Sequence, residues 1–195
     1  MASFLMHLAI AKLYLQKHPE ENEEEFIKGS LAPDLTDDKS VSHYGSSSAW
    51  ANPAKYLLEN NKSIENSYKR GYFLHLATDY IFYHYLIDIE EDLKFTKGLK
   101  LEEILKLPKF IEWKNNQYND FDILGQEVID RYKIKNIPEE IKKYVVSKTG
   151  ELKMFEREPL FRFLEDIASI NIDKMADILL KKPDSDLVNL FKSLL

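Results

Sequence analysis

Residues 72–85 read YFLHLATDYIFYHY, an apolar, tyrosine-rich run that contains His75, Asp79 and His84. Its apolar residues recur three and four positions apart, which predicts a helix with its apolar face in the core. An unpaired carboxylate is costly to bury in such a core. Because His75 and Asp79 are four residues apart, their side chains lie on one helix face and can bind one ion. A hydrogen-bonded pair without an ion explains the same spacing equally well.

The rest of the chain shows the same helical periodicity, and strand-like alternation is scarce. We therefore expect an all-α protein, a single-domain multi-helix bundle over residues 1–195. Gly29 is expected to end a short acidic helix, and Asn52 to cap another. The remaining expected elements are a first helix over residues 3–17, a polar loop over 30–48, a long helix over 63–93 and six further helices between 101 and 194.

Composition excludes several classes of protein. The net charge is −6 and no basic cluster lies near an aromatic platform, which argues against nucleic acid as a partner. The chain has no cysteine, so a metal must use histidine, carboxylate or backbone ligands. The opening MASFLMHLAIAKLYLQ lacks a basic segment before its apolar run and no stretch is long enough to span a membrane, so we expect a cytoplasmic protein without a transmembrane segment.

Other candidate ligands lie upstream of the long helix. His7 is surrounded by apolar residues of the first helix, Asp34 follows a proline, and His43 follows a serine that can orient its ring. A lone histidine on an apolar face is more often a core residue than a ligand, but three such polar residues in separate segments favour convergence. All five histidines lie in the first 84 residues. We therefore expect a metal site in residues 1–85 and a packing or specificity role for 86–195.

Four short segments, in this order, resemble the zinc-dependent phospholipase C family. The resemblance covers about the first 85 residues, and it implies an all-helical fold around a polynuclear metal site and hydrolysis of a phosphate ester. It assigns Asp34, His43 and His75 to one metal, and Asp79 as a bridge to a second metal that His7 also binds. The segments are HLAIAKLYL with His7, GSLAPD at 29–34, Ser42-His43, and GYFLHLATD at 71–79.

The chain also departs from that family. Its secreted members bind a metal through an N-terminal tryptophan, whereas this chain starts at Met1. The third metal of the trinuclear members uses a histidine six residues after the helix aspartate, followed by a later histidine and a glutamate. Here His84 lies five residues after Asp79, points about 180° from His75 on a helix, and is the last histidine. We therefore expect one or two divalent ions, zinc first, with manganese or iron as alternatives.

Three functions are compatible with these residues. The first is a metal-dependent hydrolase of a small-molecule or lipid phosphoester, with Asp34 as the general base. The second is a non-catalytic helical protein with a structural metal or a buried polar network. The third, an HD-type phosphohydrolase, ranks last because the adjacent His-Asp doublet is absent. Asp120 and Asp122 of YNDFD are either replacement ligands or a general base, or else a solvated face or cap.

Overall fold

The computed structural model describes residues 3–146 and 148–195, and it confirms the all-α prediction. Within these residues there is no β-strand. The α-helices are α1 (Phe4–Lys17), α2 (Glu23–Leu31), α3 (Lys39–Ser42), α4 (Pro53–Glu59), α5 (Ser67–Ile81), α6 (Ile89–Asp92), α7 (Leu101–Ile104), α8 (Pro108–Tyr132), α9 (Glu139–Lys142), α10 (Arg157–Ile167), α11 (Ile172–Lys181) and α12 (Leu187–Leu194).

Helix α5, which carries most of the stretch at 72–85, lies at the centre of the fold. It packs against α1, α2, α4, α11 and α12. Its side chains from Phe73 to Asp79 are all buried, as their apolar composition predicts. Residues of α5 are therefore held by neighbours on several sides, which suits a helix that positions functional groups.

The expected helix over 63–93 is wrong at both ends. Helix α5 begins after Asn66, whose side chain accepts a hydrogen bond from the backbone N–H of Lys69, so Asn66 rather than Ser63 is the N-cap. The α-helical part ends at Ile81, and the chain then forms a π-helical turn over Phe82–Leu86. Asp88 then takes a left-handed conformation with φ 54°, which separates this turn from α6.

The expected loop over 30–48 is also more regular than its polar sequence suggests. Helix α2 continues through Gly29 to Leu31 and leads into a 3₁₀ turn over Ala32–Leu35. Asp38 then caps α3 by accepting hydrogen bonds from the backbone N–H groups of Ser40 and Val41. Asp34 therefore lies within a short 3₁₀ turn, and His43 directly follows the capped helix α3.

Two glycines allow the backbones of α2 and α5 to touch. A Cβ atom on Gly71 would lie 2.1 Å from the carbonyl oxygen of Phe26, and one on Gly29 would lie 2.0 Å from that of Tyr68. Both obstacles are backbone atoms, which cannot rotate away as a side chain can. Gly29 therefore serves close helix packing and does not end α2 as expected from the sequence.

Gly71→Ala is expected to destabilise the protein by about 2–3 kcal/mol, because the added methyl group must push α2 away from α5. Chemical denaturation measures this loss. Gly125→Ala is the matched control, since its Cβ would meet only the flexible end of Leu5 at 2.8 Å and the helix gains from alanine. Equal stability of the Gly71 and Gly125 variants would contradict this account of the packing.

Candidate metal centre

The five residues predicted to bind metal come together from four separate segments. His7 lies on α1, Asp34 in the 3₁₀ turn, His43 directly after α3, and His75 and Asp79 on α5. Each has an exposed fraction of 6% or less. Three imidazoles and two carboxylates thus lie together in the interior of the protein. Burying these groups costs free energy unless a cation or protons balance the charge.

Four of these residues have the spacing of ligands to one ion. One ligand atom from each of Asp34, His43, His75 and Asp79 lies within 4.8 Å of the others. The Nε2 atom of His43 is 3.2 Å from Nε2 of His75, 3.2 Å from Oδ2 of Asp79 and 3.6 Å from Oδ1 of Asp34. Ligand atoms in a tetrahedral zinc site with bonds of about 2.0–2.1 Å lie about 3.3 Å apart. The group therefore fits a small divalent ion.

His7 faces the other oxygens of the same two carboxylates. Its Nε2 atom lies 3.2 Å from Oδ1 of Asp79 and 3.9 Å from Oδ2 of Asp34. Its ring also stacks on that of His75, with centroids 3.8 Å apart. Oδ2 of Asp34 is buried and makes no hydrogen bond within the described residues. Each carboxylate therefore has one oxygen toward His43 and the other toward His7.

Neighbouring polar groups orient two of the imidazoles. Nδ1 of His75 lies 2.7 Å from the carbonyl oxygen of Ser30 and donates to it, which directs Nε2 and its lone pair toward the cluster. Nδ1 of His43 lies 2.9 Å from the Ser42 hydroxyl, as the sequence suggests. The close contact between α2 and α5 is what brings the Ser30 carbonyl to His75.

Lys39 and Tyr83 stand beside the cluster, although the sequence did not single them out as site residues. The Lys39 ammonium donates to Oδ1 of Asp34 at 3.2 Å and to the Asp34 carbonyl oxygen at 2.7 Å. Burial raises the pKa of Tyr83 well above its usual range, and the charge of Asp79 raises it further, while a hydrogen bond with Gln117 lowers it. Tyr83 therefore keeps its proton. The only available signal for Lys39 was its position five residues after Asp34.

The electrostatics of the cluster favour a bound cation. Burial alone would raise the pKa of Asp79, but hydrogen bonds from His43, His7 and His75 hold it well below its usual range. Burial would likewise lower the pKa of His75, yet its hydrogen bond with Asp79 and the charge of Asp34 raise it. The pKa of His7 is lowered, first by burial and then by repulsion from His75. The Asp79 carboxylate stays ionised and attracts positive charge to the imidazoles.

The other prominent polar residues lie outside this cluster. Nε2 of His84 donates to the carbonyl oxygen of Ala49 at 2.9 Å, and its ring stacks on Tyr80. His18 is partly exposed and lies 2.9 Å from Glu20. Asp120 accepts hydrogen bonds from three consecutive backbone N–H groups, those of residues 153–155. Asp120 thus acts as a cap on that segment, which is one of the two roles considered from the sequence.

A comparison with family models identifies the chain. The model of zinc-dependent phospholipase C matches residues 4–169, which is most of the chain. The chain belongs to the zinc-dependent phospholipase C family. No curated protein and no solved structure matches the chain significantly.

Membership in the zinc-dependent phospholipase C family extends the resemblance noted from the sequence. The match continues from residue 85 to residue 169, so it includes α8 and α10 as well as the ligand-bearing helices. A zinc-dependent family and a buried group able to hold an ion agree with the expected cofactor, a divalent metal and zinc first. Among the described residues, no helix is both long enough and apolar enough to cross a membrane.

Proposed function

We propose that the protein is a phospholipase C-like phosphoesterase that hydrolyses a phosphate ester at a site with one or two zinc ions. The observation that carries the proposal is the buried group of Asp34, His43, His75 and Asp79 within the family match. These four residues would hold the first ion. His7, with the second oxygen of Asp79, would hold a second. When bound, zinc supplies positive charge to the phosphoryl oxygens and acidifies water.

The residues around the ligands suit such a hydrolysis. Asp34 would orient water and accept its proton through Oδ2, because Lys39 already engages Oδ1 and no hydrogen bond occupies Oδ2 within the described residues. The Tyr83 hydroxyl, which stays protonated, would donate a hydrogen bond to the phosphoryl group. The Lys39 ammonium, which donates to Oδ1 of Asp34, would fix the orientation of that carboxylate.

Asp34→Asn is expected to lower kcat about 100-fold, because the amide cannot accept the proton from water. The measurement uses zinc-loaded protein with a phosphodiester substrate such as phosphatidylcholine and a phosphomonoester for comparison. Asp37→Asn is the matched control, since Asp37 is exposed in the same segment. Turnover by Asp34→Asn at the wild-type rate would exclude the assigned role. Less than about half an equivalent of metal after reconstitution would exclude the metal site itself.

The burial of the ligands favours a second candidate, a non-catalytic protein with a structural metal. Structural zinc sites are closed by four protein ligands, and four such residues are present here. A catalytic site keeps one position open to water or substrate. Spectroscopy of the cobalt-substituted protein separates the two. A spectrum that changes when inorganic phosphate is added supports the enzyme, and an unchanged four-coordinate spectrum supports the structural role.

A further inference from the structure

Two serine hydroxyls flank the imidazole of His43, one at each ring nitrogen. The Oγ atom of Ser42 lies 2.9 Å from Nδ1, and the Oγ atom of Ser48 lies 3.2 Å from Nε2. Both serines are buried. Nε2 is also the atom that lies 3.2 Å from His75 and 3.2 Å from Asp79. Ser48 therefore contacts the metal-binding nitrogen of His43, and Ser42 contacts the other nitrogen.

The loop that joins His43 to Ser48 is attached to the rest of the protein at two points. The backbone N–H of Asn52 donates to the carbonyl oxygen of His43 at 2.9 Å, which closes the loop at its base. Nε2 of His84 donates to the carbonyl oxygen of Ala49, the residue after Ser48. Helix geometry directs His84 away from the metal ligands, and its contact holds the turn that carries Ser48.

This turn has one side toward the metal centre and another toward solvent. It is a 3₁₀ turn over Ser48–Trp50. Ser48 is only 6% exposed, whereas Trp50 is 44% exposed and Ser46, two residues before the turn, is also exposed. Ser48 is therefore the inward-facing residue of a surface turn, and its hydroxyl points to His43.

Metal binding would change the partner of the Ser48 hydroxyl. The lone pair of Nε2 that binds an ion is the one that an O–H group uses as acceptor. With that lone pair engaged, the imidazole proton of His43 resides on Nδ1 and is donated to Ser42. Within the described residues, Nε2 of His43 is the one hydrogen-bond partner of Ser48 Oγ. The Ser48 O–H then needs a new acceptor, because a buried donor without one costs free energy.

The position of Ser48 suits an acceptor that is itself bound to the ion. Ligand atoms around zinc lie about 3.3 Å apart, and the Ser48 Oγ atom lies 3.2 Å from Nε2 of His43. The hydroxyl thus lies at the distance of a neighbouring ligand. A hydroxyl is uncharged and is not among the ligands that zinc ordinarily takes in proteins, so it does not compete with the carboxylates for the ion.

We propose that the Ser48 hydroxyl is a phosphate-binding group, which donates a hydrogen bond to an anionic oxygen of the phosphoryl group at the metal centre. Hydrogen bonds to an ionised acceptor are shorter and stronger than neutral ones, so a phosphoryl oxygen is a better partner than water. The proposal rests on the function proposed above, because a structural ion closed by four protein ligands leaves no position for the anion.

The test titrates inorganic phosphate into the zinc-loaded protein by isothermal titration calorimetry. Ser48→Ala is expected to bind phosphate about 10- to 100-fold more weakly than the wild type, because one hydrogen bond to a charged acceptor is lost. The same variant is expected to keep the wild-type zinc affinity, measured by competition with a chromophoric chelator. A residue that only supported the fold would not separate the two affinities in this way.

Two other serines of the same segment are the matched controls. Ser42→Ala is expected to show the reverse pattern: zinc affinity falls about tenfold, because Ser42 is the outer partner of a ligand, and the zinc-loaded variant binds phosphate as the wild type does. Ser46→Ala changes an exposed serine and is expected to alter neither affinity. Wild-type phosphate affinity in Ser48→Ala overturns the proposal. An equal loss of zinc affinity in Ser48→Ala and Ser42→Ala overturns it as well, since Ser48 would then act only on His43.

Hydrolysis of a water-soluble phosphodiester is followed in the same samples. Phosphate binding that depends on Ser48, without hydrolysis, would overturn the proposed function and leave the phosphate-binding role of Ser48 standing. Hydrolysis by the wild type, together with unchanged phosphate binding in Ser48→Ala, would overturn the role of Ser48 alone. The two proposals therefore fail through different results.

Discussion

Asp79→Ala is expected to weaken zinc binding by more than about 100-fold, beyond the usual loss for an outer hydrogen-bond partner. Asp79 is the residue that touches every imidazole of the cluster: Oδ1 lies 3.2 Å from His7, and Oδ2 lies 3.2 Å from His43 and 3.6 Å from His75. The substitution removes a negative charge that helps the three imidazoles to hold a cation. Competition with a chromophoric chelator measures the affinity of each variant.

Three histidine variants accompany this experiment. His75→Ala is expected to weaken binding in the same direction, because its Nε2 atom is one of the clustered ligand atoms. His84→Ala and His18→Ala are expected to keep the wild-type affinity, since His84 bonds to Ala49 and His18 to Glu20. An equal loss from His84→Ala would mean that the angular separation of His84 and His75 was misjudged. Wild-type affinity in Asp79→Ala would remove Asp79 from the ligand set.

Asp120→Ala is expected to destabilise the protein by about 3–5 kcal/mol, with a fall in Tm of about 10 °C. The Asp120 carboxylate is fully buried and accepts from the backbone N–H groups of Lys153, Met154 and Phe155 at 2.8, 2.6 and 3.0 Å. Hydrogen bonds to a charged acceptor are stronger than neutral ones. Without the carboxylate, these donors lose their partner and the segment before α10 loses its attachment to α8.

Asp122→Ala is the matched control for this prediction, because Asp122 lies on the same helix but is only half-buried. We expect its cost to stay below about 1 kcal/mol. Thermal unfolding compares the two variants, and zinc content is measured at low temperature where both are folded. If Asp120→Ala lost zinc while its Tm stayed unchanged, Asp120 would be a ligand and its role as a cap would be wrong.

The helical fold follows from the sequence more readily than the ends of its elements do. Periodicity of apolar residues predicts helices because a helix of a globular protein buries one face, and the described residues contain helices and no β-strand. The start of α5 was misplaced because serine and asparagine are both good caps, and only the observed bond from Lys69 to Asn66 selects between them. Gly29 was expected to end α2, because one sequence alone does not distinguish a glycine that ends a helix from a glycine that lies at a contact between two helices.

In the candidate site, too, the sequence predicts some features and only the packing of the helices decides others. The four-residue spacing of His75 and Asp79 places both on one face of α5 whatever surrounds them. Their approach to Asp34, His43 and His7 required the packing of α1, the 3₁₀ turn and the end of α3 against α5. The Ser30 carbonyl had no signal in the sequence, because every residue has a carbonyl group.

The sequence by itself therefore determined the fold class, the residue types able to hold a metal and the pairing of His75 with Asp79 on the central helix. The tertiary structure decided which oxygen of each carboxylate faces which imidazole, that Lys39 and Tyr83 stand beside the cluster, and that His84 and Asp120 serve other contacts. The physical reason is the separation along the sequence between the residues in contact. Helix geometry fixes neighbours three or four residues apart, whereas contacts between distant segments depend on the packing of whole helices.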